Sequence, residues 1–125
     1  MKTILAVVFA GVLGLGALSA FAEEAKLKTV ADLHQDKAKL AGQTVRVQGK
    51  VVKVNNGIMG RNFLHVEDGT GNKDKNTNDL SVTSKQTANV GDQVTITGRV
   101  AVNKDFGSGY MYPLLVEDAS IAAKK

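Results

Sequence analysis

From Thr44 onward the hydrophobic residues recur with period two. Val45, Val47, Gly49 and Val51 alternate with Arg46, Gln48 and Lys50, the signature of a half-buried strand. Val52 and Val54 then continue in the opposite phase, and a phase slip inside a strand requires one extra residue, which predicts a β-bulge. Gly49 eases the bend beside it. Asn55-Asn56-Gly57 predicts a turn. Arg61 to Glu67 reads as a second strand, with Leu64 and Val66 on one face and Arg61, Phe63 and His65 on the other. Asp68-Gly69-Thr70-Gly71 turns again, and 72–78 is a polar loop. Leu80 to Thr83 gives a short third strand, and Ser84 to Asn89 a connection with room for one helical turn. Val94, Ile96, Gly98, Val100 and Val102 mark a fourth strand. A glycine-bracketed loop from Lys104 to Gly109 leads into a fifth strand, Tyr110 to Ile121, where Pro113 predicts an edge or bulge position.

Ahead of the strands the period is helical. Thr29 is an N-cap with Asp32 three residues on, and Val30, Leu33, Leu40 and Ala41 share one side of a helix that stops at Gly42. His34, Gln35, Asp36, Lys37 and Lys39 form its solvated face. One helix and five strands, the first of them long and bent, predict an all-β protein: a five-stranded Greek-key barrel of the OB type, with an SH3-type barrel as the competing arrangement. The first residues are different in kind. Lys2, an apolar run from Ile4 to Ala10 and the small-residue site Ala20-Phe21-Ala22 make a cleavable signal peptide. The chain thus divides into a signal peptide (1–22), a flexible N-terminus (23–28), the barrel domain (29–121) and a C-terminal tail (122–125). Cleavage leaves no transmembrane anchor and places the domain in the periplasm.

Composition narrows the chemistry. The chain has no Cys. Thiolate metal sites, iron–sulfur clusters and thioether-linked haem are therefore excluded, and no disulfide staples the domain. Lys2 is the only charged residue of the signal, so the 16 basic and 12 acidic residues of the whole chain leave a net charge of +3 after cleavage. That balance is too weak to demand a polyanionic partner.

Thr29-Val30-Ala31-Asp32-Leu33, the run from Leu40 to Val54, the block from Gly57 to Gly71, Val90-Gly91-Asp92 and Asp105-Phe106-Gly107-Ser108-Gly109-Tyr110 together resemble small exported bacterial OB-fold proteins. The resemblance covers nearly all of Thr29 to Ala119. It points to a group found alongside periplasmic cytochrome c nitrite reductase systems, whose members are often labelled nucleic-acid-binding by analogy. Where that group often has Trp, this chain has Phe63, which keeps the aromatic face and loses the indole N–H. The resemblance implies export and the fold; OB barrels carry many ligands.

Four constellations offer chemistry. Arg61, Phe63 and His65 lie on one face of the second strand, where OB barrels commonly bind, and Phe106, Tyr110 and Tyr112 add aromatic area from the last loop. The bland alternative packs Phe63 under the helix or the polar loop and uses the loop aromatics as edge packing. Met59, His65 and Met111 are thioether and imidazole side chains of the kind that suits Cu(I); all three residues also have ordinary packing roles, and the sequence calls for no cofactor. Glu67–Asp68 and Glu117–Asp118 are adjacent pairs, whose members point to opposite strand faces, so turn and solubility roles fit them better than acid–base catalysis. Ser81, Ser84 and Ser108 lack a nucleophile-elbow context. The reading is a non-enzymatic periplasmic binding or accessory protein, with an envelope protein or small ligand as partner. The alternatives are single-stranded nucleic-acid binding, which export disfavours, and Cu(I) handling.

Overall fold

Alternation places every second residue of a strand against the core. In the computed structural model, which describes residues 25–107 and 109–124, it does so along most of the chain. The expected signal segment and residue 108 lie outside the described residues. The strands are β1 (Lys26–Leu27), β2 (Thr44–Ile58), β3 (Arg61–Glu67), β4 (Asp79–Ser84), β5 (Gln93–Asp105) and β6 (Met111–Ala123). Two short helices, α1 (Val30–Gln35) and α2 (Lys37–Leu40), precede β2, and a single 3₁₀ turn covers Lys73–Lys75. The sheet order is β1-β2-β3-β4-β6-β5, and β5 pairs back onto β2, so five strands form a ring. All pairings within that ring are antiparallel except β4–β6.

β2 belongs to two pairings at once. Its first half, Thr44 to Lys50, pairs with β5, and from Lys50 onward it pairs with β3. The register with β3 shifts between Val51 and Lys53, where the phase slip predicts the bulge, and this returns Val54 to the core. A Cβ on Gly49 would lie 2.6 Å from Val66 Cγ1 and 2.7 Å from the Glu67 carbonyl oxygen. Gly98 is its counterpart on β5, with Val116 Cγ1 at 2.7 Å. Each glycine lets a neighbouring strand cross closely at a corner of the ring.

The core fills the ring. Val45, Val47, Val51, Leu64, Val66, Leu80, Val82, Ile96, Val100 and Val116 are buried there, and Val30 and Leu33 of α1 close it. Burying one such side chain contributes about 1.5–3 kcal/mol. Thr29 and Asp32 form the capping box: the Asp32 N–H donates to Thr29 Oγ1 (3.0 Å) and the Thr29 N–H to Asp32 Oδ2 (3.1 Å). The Thr29 N–H, and then its hydroxyl, hold the Asp32 carboxyl below its usual range. The Val30 N–H donates to Asp68 Oδ2 and the Ala31 N–H to Thr70 Oγ1, both at 2.9 Å. The turn after β3 therefore docks the first turn of α1, and this is the structural work of Asp68.

Four local expectations change. The single helix to Gly42 is broken at Asp36, whose φ of −108° and ψ of 20° end α1 before α2 begins. Lys26 and Leu27, expected in a frayed terminus, pair in parallel with Val45 and Arg46. Asn55-Asn56-Gly57 is not the turn: β2 runs on to Ile58, and the hairpin turn is Met59-Gly60. Ser84 to Asn89 forms no helical turn. Among the described residues no helix is long and apolar enough to cross a membrane.

Candidate functional site

The two-residue hairpin between β2 and β3 sets the site's rim. Both central residues have positive φ, 52° at Met59 and 77° at Gly60, the backbone that a right-handed strand twist favours in such a turn. Glycine adopts it freely; methionine does so at a cost of order 1 kcal/mol. Gly57, also at positive φ, donates its N–H to Asn62 Oδ1 at 2.9 Å, which fixes the end of β2. On the facing side the β5–β6 loop is held by the Phe106 N–H to the Tyr110 carbonyl (2.8 Å) and the Gly107 N–H to Asp105 Oδ1 (2.7 Å). Ile58 and Met59 on one side, and Tyr110 and Met111 on the other, are exposed.

Between the loops lies a groove of ≈ 250 Å³ lined by Asn55, Ile58, Met59, Phe63, His65, Tyr110 and Tyr112. Its floor is an aromatic cluster. Phe63, Phe106 and Tyr112 meet pairwise with ring centroids 5.4, 5.8 and 5.6 Å apart. Phe63 is only 5% exposed, so it is neither a free stacking face nor packed under the helix: it is a second, outer core. The Arg61 guanidinium lies 5.5 Å and the Lys104 ammonium 5.8 Å from the centre of the Phe106 ring. Lys104 also reaches Glu117 at 3.5 Å, and Arg99 bonds Glu117 at 3.0 Å. Partial burial works to raise the Glu117 carboxyl, but Arg99 and Lys104 outweigh it and hold it below its usual range.

His65 enters the groove from β3 with its ring already oriented. Nδ1 is 3.0 Å from Asp79 Oδ2, and because an ionised carboxylate only accepts, Nδ1–H is the donor; in the neutral ring this leaves the lone pair on Nε2. Asp79 also receives His34: Nε2–H donates to the Asp79 carbonyl at 2.7 Å. His34 is therefore half-buried and bonded, not merely solvated as the helical pattern suggests. Sequence reasoning missed Asp79 and Asn55 as parts of this site. Asp79 sits on β4 opposite Glu67 and bonds the His65 ring diagonally, a relation that needs the β3–β4 register.

The expected residues are thus brought together in part. His65, Tyr110, Tyr112, Met59 and Phe63 line one groove, with Phe106 and Arg61 stacked beside it. Met111 does not join them: it lies between Tyr110 and Tyr112, and strand alternation turns it to the other face. The three-residue copper set accordingly reduces to Met59 and His65. Among the described residues no three His, Cys, Asp or Glu side chains cluster to hold a metal. A larger hollow of ≈ 450 Å³ on another face, around Gly49, Glu67 and Asp68, has no aromatic wall.

Beneath the aromatic cluster, Thr83 of β4 pairs with Phe63 and is 1% exposed, and its hydroxyl has no hydrogen-bond partner. An unpaired buried hydroxyl costs about 1–3 kcal/mol. Thr83→Val keeps the shape and removes the orphan, and is expected to raise the unfolding free energy by about 1 kcal/mol. A urea denaturation midpoint equal to or below that of the parent would contradict this.

The chain matches no protein-family model and no curated protein. Among solved structures it is similar to a chain described as an aspartyl-tRNA synthetase from Leishmania major Friedlin, with a TM-score of 0.53 and 13% identity. The match takes in 82% of this chain but only 22% of that one. At that identity the likeness concerns the fold alone.

Proposed function

We propose that the protein is a non-enzymatic binding module on a Greek-key OB-type barrel, exported to the periplasm, and that the groove between the Met59 turn and Tyr110 is its ligand site. The ring order, the parallel β4–β6 closure and the structural likeness support the barrel assignment. One observation carries the site: a methionine is kept in left-handed backbone at the rim of a groove floored by packed aromatics, where Gly would sit freely and Asn at less cost. The family resemblance supports an accessory role in respiratory cytochrome systems, nitrite reductase among them.

Cu(I) handling is a second reading, favoured by the His65–Asp79 bond. A carboxylate that fixes Nδ1–H and leaves Nε2 free is the usual outer partner of a metal-ligating histidine. Met59 on the same groove would supply a thioether. The nucleic-acid reading is less well served, because Phe63 is buried and Phe106 and Tyr112 are packed against it and against each other.

The test is a two-dimensional NMR titration of protein purified from cells expressing the full sequence. Cu(I), a short single-stranded oligonucleotide and a panel of ring-bearing small molecules are added separately. Shifts confined to Met59, His65, Tyr110 and Tyr112 are expected for at least one of them. A Cu(I) response that is lost in His65→Ala and kept in Met111→Leu selects the copper reading. Unchanged spectra throughout would refute a ligand groove.

A further inference from the structure

Ring closure is incomplete on one side of the barrel. β4 and β6 pair at a single position, Val82 with Val116. Before it, Pro113 has no N–H to offer, and the strands part. The gap is a groove of ≈ 360 Å³ walled by His34 and Lys37 from the helices, Lys75, Asn76 and Thr77 from the polar loop, Asp79 and Ser81 from β4, and Tyr112 to Leu114 from β6. Tyr112 also lines the aromatic groove around Met59, so the two hollows share a wall.

The chemistry of this seam is lopsided. Among the described residues neither Lys37 nor Lys75 forms an ion pair. The one carboxylate in the lining, that of Asp79, already receives the His65 ring. The hydroxyls of Ser81 and Tyr112 make no hydrogen bond among the described residues; the His34 ring is tied through Nε2, and its Nδ1 is not. Two lysines without an ion pair and two hydroxyl residues without a hydrogen bond, among the described residues, thus line a recess larger than a simple anion needs. A site of that kind favours a negative group attached to something bigger.

We propose that the seam is an anion subsite of the aromatic groove, and that the two together take a small ring-bearing anion: an aryl or heterocyclic group in the groove and a phosphate, sulfate or carboxylate on Lys37 and Lys75. The inference rests on the reading of the Met59 groove as the ligand site. Lys37 and Lys75 act as point charges on flexible stems, which accommodates anions of different geometry. Tyr112 is the pivot, its ring packed on Phe63 and Phe106 and the residue walling both hollows.

The experiment compares phenyl phosphate, phenyl sulfate, phenylacetate, inorganic phosphate and benzyl alcohol by NMR titration at constant ionic strength. At least one aryl anion is expected to bind roughly tenfold more tightly than either inorganic phosphate or benzyl alcohol, because one molecule engages both subsites. The tightest of the three names the anion. The double variant Lys37→Gln/Lys75→Gln is expected to lose about tenfold in affinity for that aryl anion and none for benzyl alcohol. Lys50→Gln, a charge change on another face, should leave both unchanged and controls for net charge. If benzyl alcohol and the aryl anions bind alike and the double variant changes nothing, the anion subsite is refuted while the ligand groove stands. If inorganic phosphate binds at the seam and no ring-bearing probe gains from its ring, the joined site is refuted. If nothing binds, both proposals fall.

Discussion

Phe63→Ala is expected to lower the unfolding free energy by about 3–4 kcal/mol, with the urea midpoint falling and the slope retained. The residue stands on the outer face of β3, where truncation ordinarily costs little. Its ring, however, meets both Phe106 and Tyr112 at centroid distances of 5.4 and 5.8 Å, and it is almost wholly buried. The loss has two parts. One is the transfer and cavity cost of removing a buried ring, and the other is the pairwise aromatic term, about 0.5–1.5 kcal/mol per contact. Against a total stability of about 5–15 kcal/mol for a domain of this size, that is a large fraction. The same change unseats the β5–β6 loop, so ligand shifts at Tyr110 should vanish together with the stability. A loss under about 1 kcal/mol would mean that the cluster is loosely packed.

Gly49→Ala is expected to cost about 2–4 kcal/mol and to lower the melting temperature by about 10–20 °C. Gly49 has ordinary backbone, so its requirement for glycine is one of space alone. The added methyl meets Val66 Cγ1 at 2.6 Å and the Glu67 carbonyl oxygen at 2.7 Å. The first can rotate away; the second is backbone in the β2–β3 ladder and cannot. Gly57 provides the contrast, with φ of +75° and nothing within 4 Å of the added Cβ. Gly57→Ala should therefore cost only the left-handed backbone penalty, about 1–2 kcal/mol. If the two variants lose stability equally, the corner contact is not what makes Gly49 glycine.

The difference between these glycines also shows what the sequence could disclose. Period-two alternation reported the strands β2 to β6 and even the bulge after Val51, because a bulge must break the phase. It did not report the end of β2. Asn55-Asn56-Gly57 has the stronger turn composition, but the ladder continues past it and the reversal falls on Met59-Gly60, a choice made by pairing with Asn62 and Arg61 and not by local preference. Helical periodicity gave the capping box of α1 and missed the break at Asp36. The face of β3 was legible as a face, but its exposure was not: Phe63 is covered by residues some forty positions later in the chain, and no local pattern carries that. His34 and His65 were visible as residues; that both converge on Asp79 follows from the β3–β4 register and the docking of α1. Met111 was paired with the other sulfur and nitrogen donors by type, and strand alternation separates them.

The ring has a further consequence for how the molecule meets copies of itself. A sheet that closes on itself leaves less unpaired ladder than an open one, and the strand outside the ring, β1, is two residues long and carries Lys26. Open stretches remain at the β4–β6 seam, flanked by α1 and the polar loop, and along residues 53–58 of β2 and 101–105 of β5, which pair on one side only. Among the described residues strand-to-strand growth, the common route by which β proteins aggregate, is thereby confined to these short stretches, and Lys53 and Lys104 place charge on two of them. Encounters between copies of the domain are thereby left mainly to side chains.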